Sequence, residues 1–313
     1  MRATCLNMVY ELAKVDDRVV FIGSDLAPGL LQDMRNEMPQ RWYMEGVSEA
    51  NVIGMAAGLA MDGYMPYINT IATFITRRCF EQVAIDLCLH DLPVRLIGSG
   101  GGLVYAPLGP THLAIEDIAI MRSLPNMTVM AACDAPEMTR LMHATLSWPH
   151  PIYIRLAKGG DPIVSSPDAP FVIGKAIPLR GLGRERVSFV STGVMSTRCL
   201  AASTSLAEMG IATSVLHMHT VKPLDVATLV DFCAGADLVL TVEEGVRSGG
   251  LGSAVLEALT DSLGSGTPPV VRLGLPDEFP HKYGSQDELL EWYGLSPGHI
   301  VAAAVKSLGL SPP

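Results

Sequence analysis

Short runs of apolar and β-branched residues alternate along the chain with longer segments in which apolar positions recur every three to four residues. This is the pattern of parallel strands joined by crossover helices. It predicts a helix over residues 3–14 and a strand over 18–23 (RVVFIG). Residues 48–61 (SEANVIGMAAGLAM) are apolar nearly all the way round, which predicts a buried helix with Ser48 placed to cap it. Further along, a helix is expected over 72–89, a strand over 94–98, a helix over 113–122 and a strand over 127–130. A helix over 134–146, capped by Asp134, and a strand over 151–156 (PIYIRL) close this region.

From residue 157 to about residue 185 the pattern dissolves into Gly, Pro, Ser and Asp, the composition of an interdomain linker. The expected organisation is therefore a first domain over 1–160, a linker over 161–185 and a second domain over 186–313. The second domain repeats the alternation: strand 187–192, helix 195–209, strand 211–216, helix 225–233, strand 237–242, helix 250–262, strand 269–273 and two short terminal helices. The fold class read from this is α/β, with two parallel-sheet, three-layer domains.

Composition sharpens the picture. A chain of 313 residues suits two cores. Apolar residues make up 49% and charged residues 17%, and the mean hydropathy is +0.31. A membrane helix needs roughly 18 nearly uncharged apolar residues. The best stretch, residues 50–61, is shorter and ends at Asp62. Buried parallel sheets and an apolar subunit interface account for the hydropathy instead. The first twelve residues mix Arg2 and Glu11 into a helical pattern and lack a signal-peptide core. The six cysteines are scattered with no CxxC pair, so neither a disulfide framework nor a zinc site is expected, and a cytoplasmic location is. With a net charge of −10 and no basic run longer than Arg77-Arg78, nucleic acid and membranes are not expected partners.

The sequence holds no Walker loop, no GxGxxG after the first strand, no GxSxG elbow and no HExxH. SGGLGS around Gly249 precedes a helix; its amides could bind an anion, or its glycines could simply permit a tight turn. In the first domain Glu49 opens an otherwise uncharged helix, and His112 follows Gly109-Pro110-Thr111. Phe74 and Phe80 share one predicted helix. Singly, these residues also fit a helix-dipole partner, a structural histidine and core aromatics.

Their order along the chain resembles the transketolase family. Gly23-Ser24-Asp25-Leu26-Ala27-Pro28 looks like the start of that family's pyrimidine-binding domain, and Gly46-Val47-Ser48-Glu49-Ala50 is similar to the segment bearing its cofactor-activating glutamate. Thr70-Ile71-Ala72-Thr73-Phe74 and Phe80-Glu81-Gln82-Val83 resemble the wall that stacks on the aminopyrimidine ring, and Gly109-Pro110-Thr111-His112 resembles the substrate-facing histidine loop. Val221-Lys222-Pro223-Leu224-Asp225, Glu243-Glu244-Gly245 and Gly249-Gly250-Leu251-Gly252 are similar to the family's C-terminal domain.

The resemblance implies thiamine diphosphate as cofactor. Glu49 would hydrogen-bond N1′ of the aminopyrimidine, and Phe74, Ile71, Asp25 and Arg77 would border the ring. Ile71 and Arg77 stand where the family often has aromatics. On the substrate side it implies His112, Tyr105, Leu108, Arg2 and Lys158, the last two near the family's sugar-phosphate site, where Gly29 replaces a serine. Leu108 replaces an acid that contacts a substrate hydroxyl, and Gly100 replaces a histidine, departures that point away from ordinary pentose phosphates.

Full-length transketolases also carry a domain that grips the diphosphate through a divalent metal. This chain has no Gly-Asp-Gly turn with downstream Asn ligands, so the Mg²⁺ ligands are expected on a partner subunit, in an α2β2 assembly. The activity implied is transfer of a two-carbon ketol unit from a ketose (phosphate) to an aldehyde. The alternative is a thiamine-dependent enzyme acting on 2-oxo acids, like deoxyxylulose-phosphate synthase or a 2-oxo acid dehydrogenase β subunit. A non-catalytic partner subunit and a nucleotide-binding protein are the remaining readings.

Overall fold

The computed structural model describes residues 1–24, 29 and 31–310. Its strands are β1 (Val19–Gly23), β2 (Trp42–Met44), β3 (Met65–Ile71), β4 (Arg95–Ser99), β5 (Thr128–Met130), β6 (Ile152–Leu156), β7 (Ile177–Arg180), β8 (Val187–Ser191), β9 (Thr213–His217), β10 (Thr220–Lys222), β11 (Leu238–Val246) and β12 (Val270–Leu275). They form two sheets, in the orders β10-β5-β6-β4-β3-β1-β2 and β12-β11-β8-β9-β7. All pairings are parallel except β10 with β5 and β7 with β9. The α/β reading of two mainly parallel sheets holds.

The helices are α1 (Arg2–Val15), α2 (Gln32–Glu37), α3 (Glu49–Met61), α4 (Ala72–Ile75), α5 (Phe80–Gln82), α6 (Asp117–Ser123), α7 (Ala135–Thr145), α8 (Met195–Glu208), α9 (Val226–Cys233), α10 (Leu251–Leu263), α11 (Gln286–Trp292) and α12 (Pro297–Ser307). On one face of the first sheet α1 and α7 interlock through Cys5, Val9, Leu12, Met138 and Met142. On the other, Val52 and Ile53 of α3 pack with Ile68 and Leu87, in an apolar cluster that continues into the second domain through Met218 and Val221. No helix among the described residues is long and apolar enough to cross a membrane.

The structure departs from the sequence pattern in places that matter. The helix expected over 72–89 is broken into α4, a turn over 76–79, α5 and a wide π-helical stretch, Val83–Leu89. Thr76 ends α4 by returning its hydroxyl to the Ala72 carbonyl at 2.7 Å. The interior strand β3 is not apparent in the pattern, because Pro66 and Asn69 interrupt its apolar run. Asn69 is satisfied inside the sheet, its Nδ2 donating to Ile97 O at 3.0 Å and Ser99 Oγ at 2.9 Å. Strand β7 lies within the patternless stretch, as an edge strand with a half-buried surface. Asp134 caps α7 as expected, accepting from Glu137 N at 2.9 Å, but Ser48 donates to Glu45 O at 3.0 Å and does not cap α3 with its side chain.

A buried polar seam joins the domains. Arg155 of β6 donates to Asp117 Oδ2 at 2.9 Å and to the Glu244 carbonyl at 2.6 Å. Glu244 in turn accepts from Leu103 N at 2.7 Å. Glu137 of α7 meets His217 Nε2 of β9 at 2.9 Å, and Ser196 Oγ lies 2.7 Å from the other ring nitrogen. Burial pushes the Glu137 carboxyl up, but the His217 imidazole, by charge and hydrogen bond, outweighs it and holds the pKa at about 2. Cys133 joins Glu137 and His217 in a group close enough to hold a metal ion, yet both His217 nitrogens are already engaged.

Buried His219 stacks on Phe171 with ring centroids 4.1 Å apart, and its Nδ1 lies 2.9 Å from the Thr220 hydroxyl. Burial lowers its pKa from 6.5 to about 4, against the pull of Glu137 and with the help of His217 and Arg140. The unfolded chain therefore takes up a proton below pH 6.5 that the folded chain refuses until about pH 4, so the stability this residue contributes is full above the first value and lost towards the second. His219→Gln is expected to flatten the fall in unfolding free energy across that window, by at most about 1.4 kcal/mol per pH unit. Urea unfolding at a series of pH values checks it; an unchanged slope refutes the assignment.

Candidate functional site

In the first sheet β2 lies on one side of β1 and β3 on the other, so the chain reverses direction of travel between β1 and β3. Ligands of open parallel sheets bind outside the carboxyl ends of strands at such a point. Here those ends are knit together: Ser24 Oγ donates to Thr70 Oγ1 at 3.0 Å, and Ser24 N donates to Asn69 O at 3.2 Å.

Glu49 begins α3, the helix that packs on β3 through Val52 and Ile53, in a first turn that favours a carboxylate. The helix behind it buries only apolar side chains, and Glu49 itself is 6% exposed. Phe74 comes from α4, directly beyond β3, and Ile71 ends that strand as a buried aliphatic neighbour. The His112 ring stands edge-on to Phe74, with centroids 5.3 Å apart and planes inclined by 62°. Its Nδ1 lies 2.9 Å from Thr111 Oγ1. Residues distant in sequence thus converge as an acid, a flat apolar face and an imidazole.

The space between Glu49 and Phe74 accepts a flat N–H donor. The Arg78 guanidinium lies there, Nη1 3.0 Å from Glu49 Oε2 and Cζ 3.8 Å from the Phe74 ring centroid. An acid aimed at an edge nitrogen, with an aromatic face below, is also what a planar aminopyrimidine requires. Sequence reasoning missed Arg78, because a continuous helix would have placed it a full turn beyond Phe74 on the same face with no reason to meet Glu49. Arg77, expected at the ring, pairs instead with Glu116 Oε1 at 2.6 Å. Asp25 lies outside the described residues.

The substrate-side residues form two groups. Gly100 has φ +75°, and a Cβ there would lie 2.1 Å from the Tyr105 ring, so Tyr105 occupies the space into which a side chain at 100 would project. Gly109 (φ +78°) packs against exposed Tyr283 of the second domain, a neighbour the sequence did not indicate. Leu108 between them is 51% exposed. Arg2 and Lys158 come together with Met1, Gly29 and Gly159 around a pocket of about 430 Å³. None of Glu49, Phe74 and His112 lines that pocket.

The glycine-rich turn at 248–252 is a closed structure. The amides of Leu251 and Gly252 at the start of α10 donate to the buried Glu243 carboxylate at 2.9 and 2.8 Å. A Cβ on Gly250 would lie 2.0 Å from that carboxylate. The helix N-terminus is thus capped internally, and the glycines serve close packing, not an external anion or nucleotide.

Residues 1–160 match the family model for the transketolase pyrimidine-binding domain, and residues 174–300 match that for the transketolase C-terminal domain. Among curated proteins the chain is 36% identical to a 6-deoxy-6-sulfo-D-fructose transketolase subunit of Clostridium sp. (strain MSTE9), covering 97% of this chain and 93% of that protein. It is 32% identical to an apulose-4-phosphate transketolase subunit of Phocaeicola vulgatus, covering 97% and 96%. A 1-deoxy-D-xylulose-5-phosphate synthase of Gloeobacter violaceus is 35% identical, but the chain spans 47% of its length. Among solved structures, a split-gene transketolase described as an inactive β4 tetramer superposes with a TM-score of 0.89, at 35% identity and 99% coverage of both chains.

The Gly100–Tyr105 contact yields a stability prediction. Gly100→Ala adds a Cβ at positive φ against the ring and is expected to destabilise the fold by about 1–3 kcal/mol. Adding Tyr105→Ala should recover part of that loss, a coupling that thermal unfolding of the double-mutant cycle measures; purely additive losses would show that the two residues do not share the space.

Proposed function

The chain belongs to the transketolase family, and from that premise we propose that it is the C-terminal subunit of a split, thiamine-diphosphate-dependent transketolase. In this reading it moves a two-carbon ketol unit from an anionic ketose to an aldehyde. The observation that carries the proposal is the buried Glu49 carboxylate facing the Phe74 ring across a space that accepts a planar N–H donor.

When bound, thiamine diphosphate supplies the carbon nucleophile and electron sink that make and break a bond next to a carbonyl. The residues fit the reactive half of that coenzyme. Glu49 holds a proton against N1′ of the aminopyrimidine, and the apolar surroundings of α3 exclude water that would compete for it. Phe74 orients the ring by stacking, and Ile71 closes the wall as an aliphatic. His112, held through Nδ1 by Thr111, presents its other ring nitrogen to a substrate oxygen. The Mg²⁺ and diphosphate ligands belong to an N-terminal partner subunit, in an α2β2 assembly. The split-subunit relatives and the inactive β4 tetramer support dependence on a partner. Six buried, unpaired cysteines fit a cytoplasmic setting.

Specificity follows from the second group of residues. Arg2 and Lys158 place two cations at one pocket, suited to the charged end of a sugar phosphate or a sugar with another tetrahedral anion. With Leu108 and Tyr105 in the loop, fewer hydrogen bonds are available to select hydroxyls.

Two experiments test this reading. Glu49→Gln is expected to lower the ketol-transfer rate of the co-purified complex by about 10²–10⁴ while leaving the complex intact by size exclusion. Wild-type rates in that variant, or release of CO₂ from pyruvate in place of transfer from a ketose phosphate, would overturn it. Separately, Arg2→Ala and Lys158→Ala should raise KM for a ketose phosphate about tenfold or more and leave KM for an uncharged ketose near its original value. Equal effects on both substrates would remove the anion pocket from the proposal.

A further inference from the structure

We propose that Arg78 is a built-in stand-in for the coenzyme's pyrimidine ring, occupying its place until the coenzyme displaces it. This rests on the coenzyme reading above and adds a device to the same site. Three features of the chain carry it.

The first is need. A carboxylate that is 6% exposed must be paired to be tolerated, and the Arg78 guanidinium, 3.0 Å from Glu49 Oε2, is its ion-pair partner. The second is shape. A guanidinium is planar, offers N–H groups at its edge and stacks on aromatic faces. Arg78 does both at once, with Cζ 3.8 Å from the Phe74 centroid while Nη1 holds the acid. Those are the two contacts assigned to the aminopyrimidine, and one carboxylate oxygen and one ring face admit a single guest. The third is mobility with an anchor. Arg78 sits on the turn between α4 and α5 with its side chain 46% exposed, so it can swing into solvent. Neighbouring Arg77 ties the same turn to Glu116 at 2.6 Å, so release of Arg78 does not require the wall to move.

Displacement then reduces apparent coenzyme affinity by the fraction of chains in which Arg78 has already let go. A half-exposed ion pair together with a cation–π contact places that factor at roughly 3- to 10-fold. The same contact keeps the acid neutralised in a chain that has not yet met coenzyme.

The test is calorimetric titration of thiamine diphosphate with Mg²⁺ into the full chain co-purified with its partner. Arg78→Met is expected to bind roughly 3- to 10-fold more tightly than wild type. Arg78→Lys, which keeps the charge but loses the plane, should fall between them and also guards against a folding defect in the first variant. In a Glu49→Gln background the gain from Arg78→Met should shrink, since the clamp has lost its acid. Equal or weaker binding by Arg78→Met, with wild type binding normally, overturns the stand-in and leaves the coenzyme reading in place. A complex in which neither form binds thiamine diphosphate overturns both.

Discussion

The site is hung on one buried guanidinium, that of Arg155. From the end of β6 it reaches Asp117 at the start of α6, the Ala114 carbonyl and, across the domain boundary, the Glu244 carbonyl. A buried arginine is tolerated only when its donors are answered, so these partners hold one another in place. The loop from 100 to 116 is thereby clamped at both ends, with Gly102 packed between Arg155 and Glu244 so closely that a Cβ would lie 2.5 Å from the Glu244 carboxyl. His112 is carried on that clamped loop and meets Phe74 of α4, so the contact between domains helps to position one side of the site.

A second buried charge shapes the candidate site. Placing Glu49 at the head of an apolar helix gives a carboxylate little water to lean on, and the fold answers with a single planar cation stacked on an aromatic ring. Acid, ring face and imidazole are thus prepared before any ligand enters. Preorganisation of this kind limits how far groups must move when charge shifts during reaction.

Much of this is legible in the sequence. Alternating strands and amphipathic helices reveal the two α/β domains, and the segment order around Glu49, Phe74 and His112 locates the acid, the stacking face and the histidine. What the pattern hides has physical causes. Strand β3 is obscured because Pro66 and Asn69 interrupt its apolar run, and Asn69 is tolerated there only because neighbouring β4 supplies its acceptors. The break after α4 turns on one threonine bonding backwards to Ala72, a local competition that periodicity does not register. That break turns Arg78 to Glu49 and Phe74 and leaves Arg77, the residue expected there, paired with Glu116. Tyr283 and Arg155 act across domain contacts, which no local window contains.

Strand β10 carries a consequence of its own. It lies in the second half of the chain yet completes the first sheet, pairing antiparallel with β5 through Thr220 and Met130. Lys222, at the end of the same strand, also donates to the Arg122 carbonyl at 3.0 Å. The two halves are therefore not separable modules. Cutting the polypeptide within the irregular stretch would strip β5 of its outer partner and bare a short, wholly buried edge, an invitation to self-association. Evolutionary rearrangement can detach this pair of domains as a unit far more readily than it can divide one from the other.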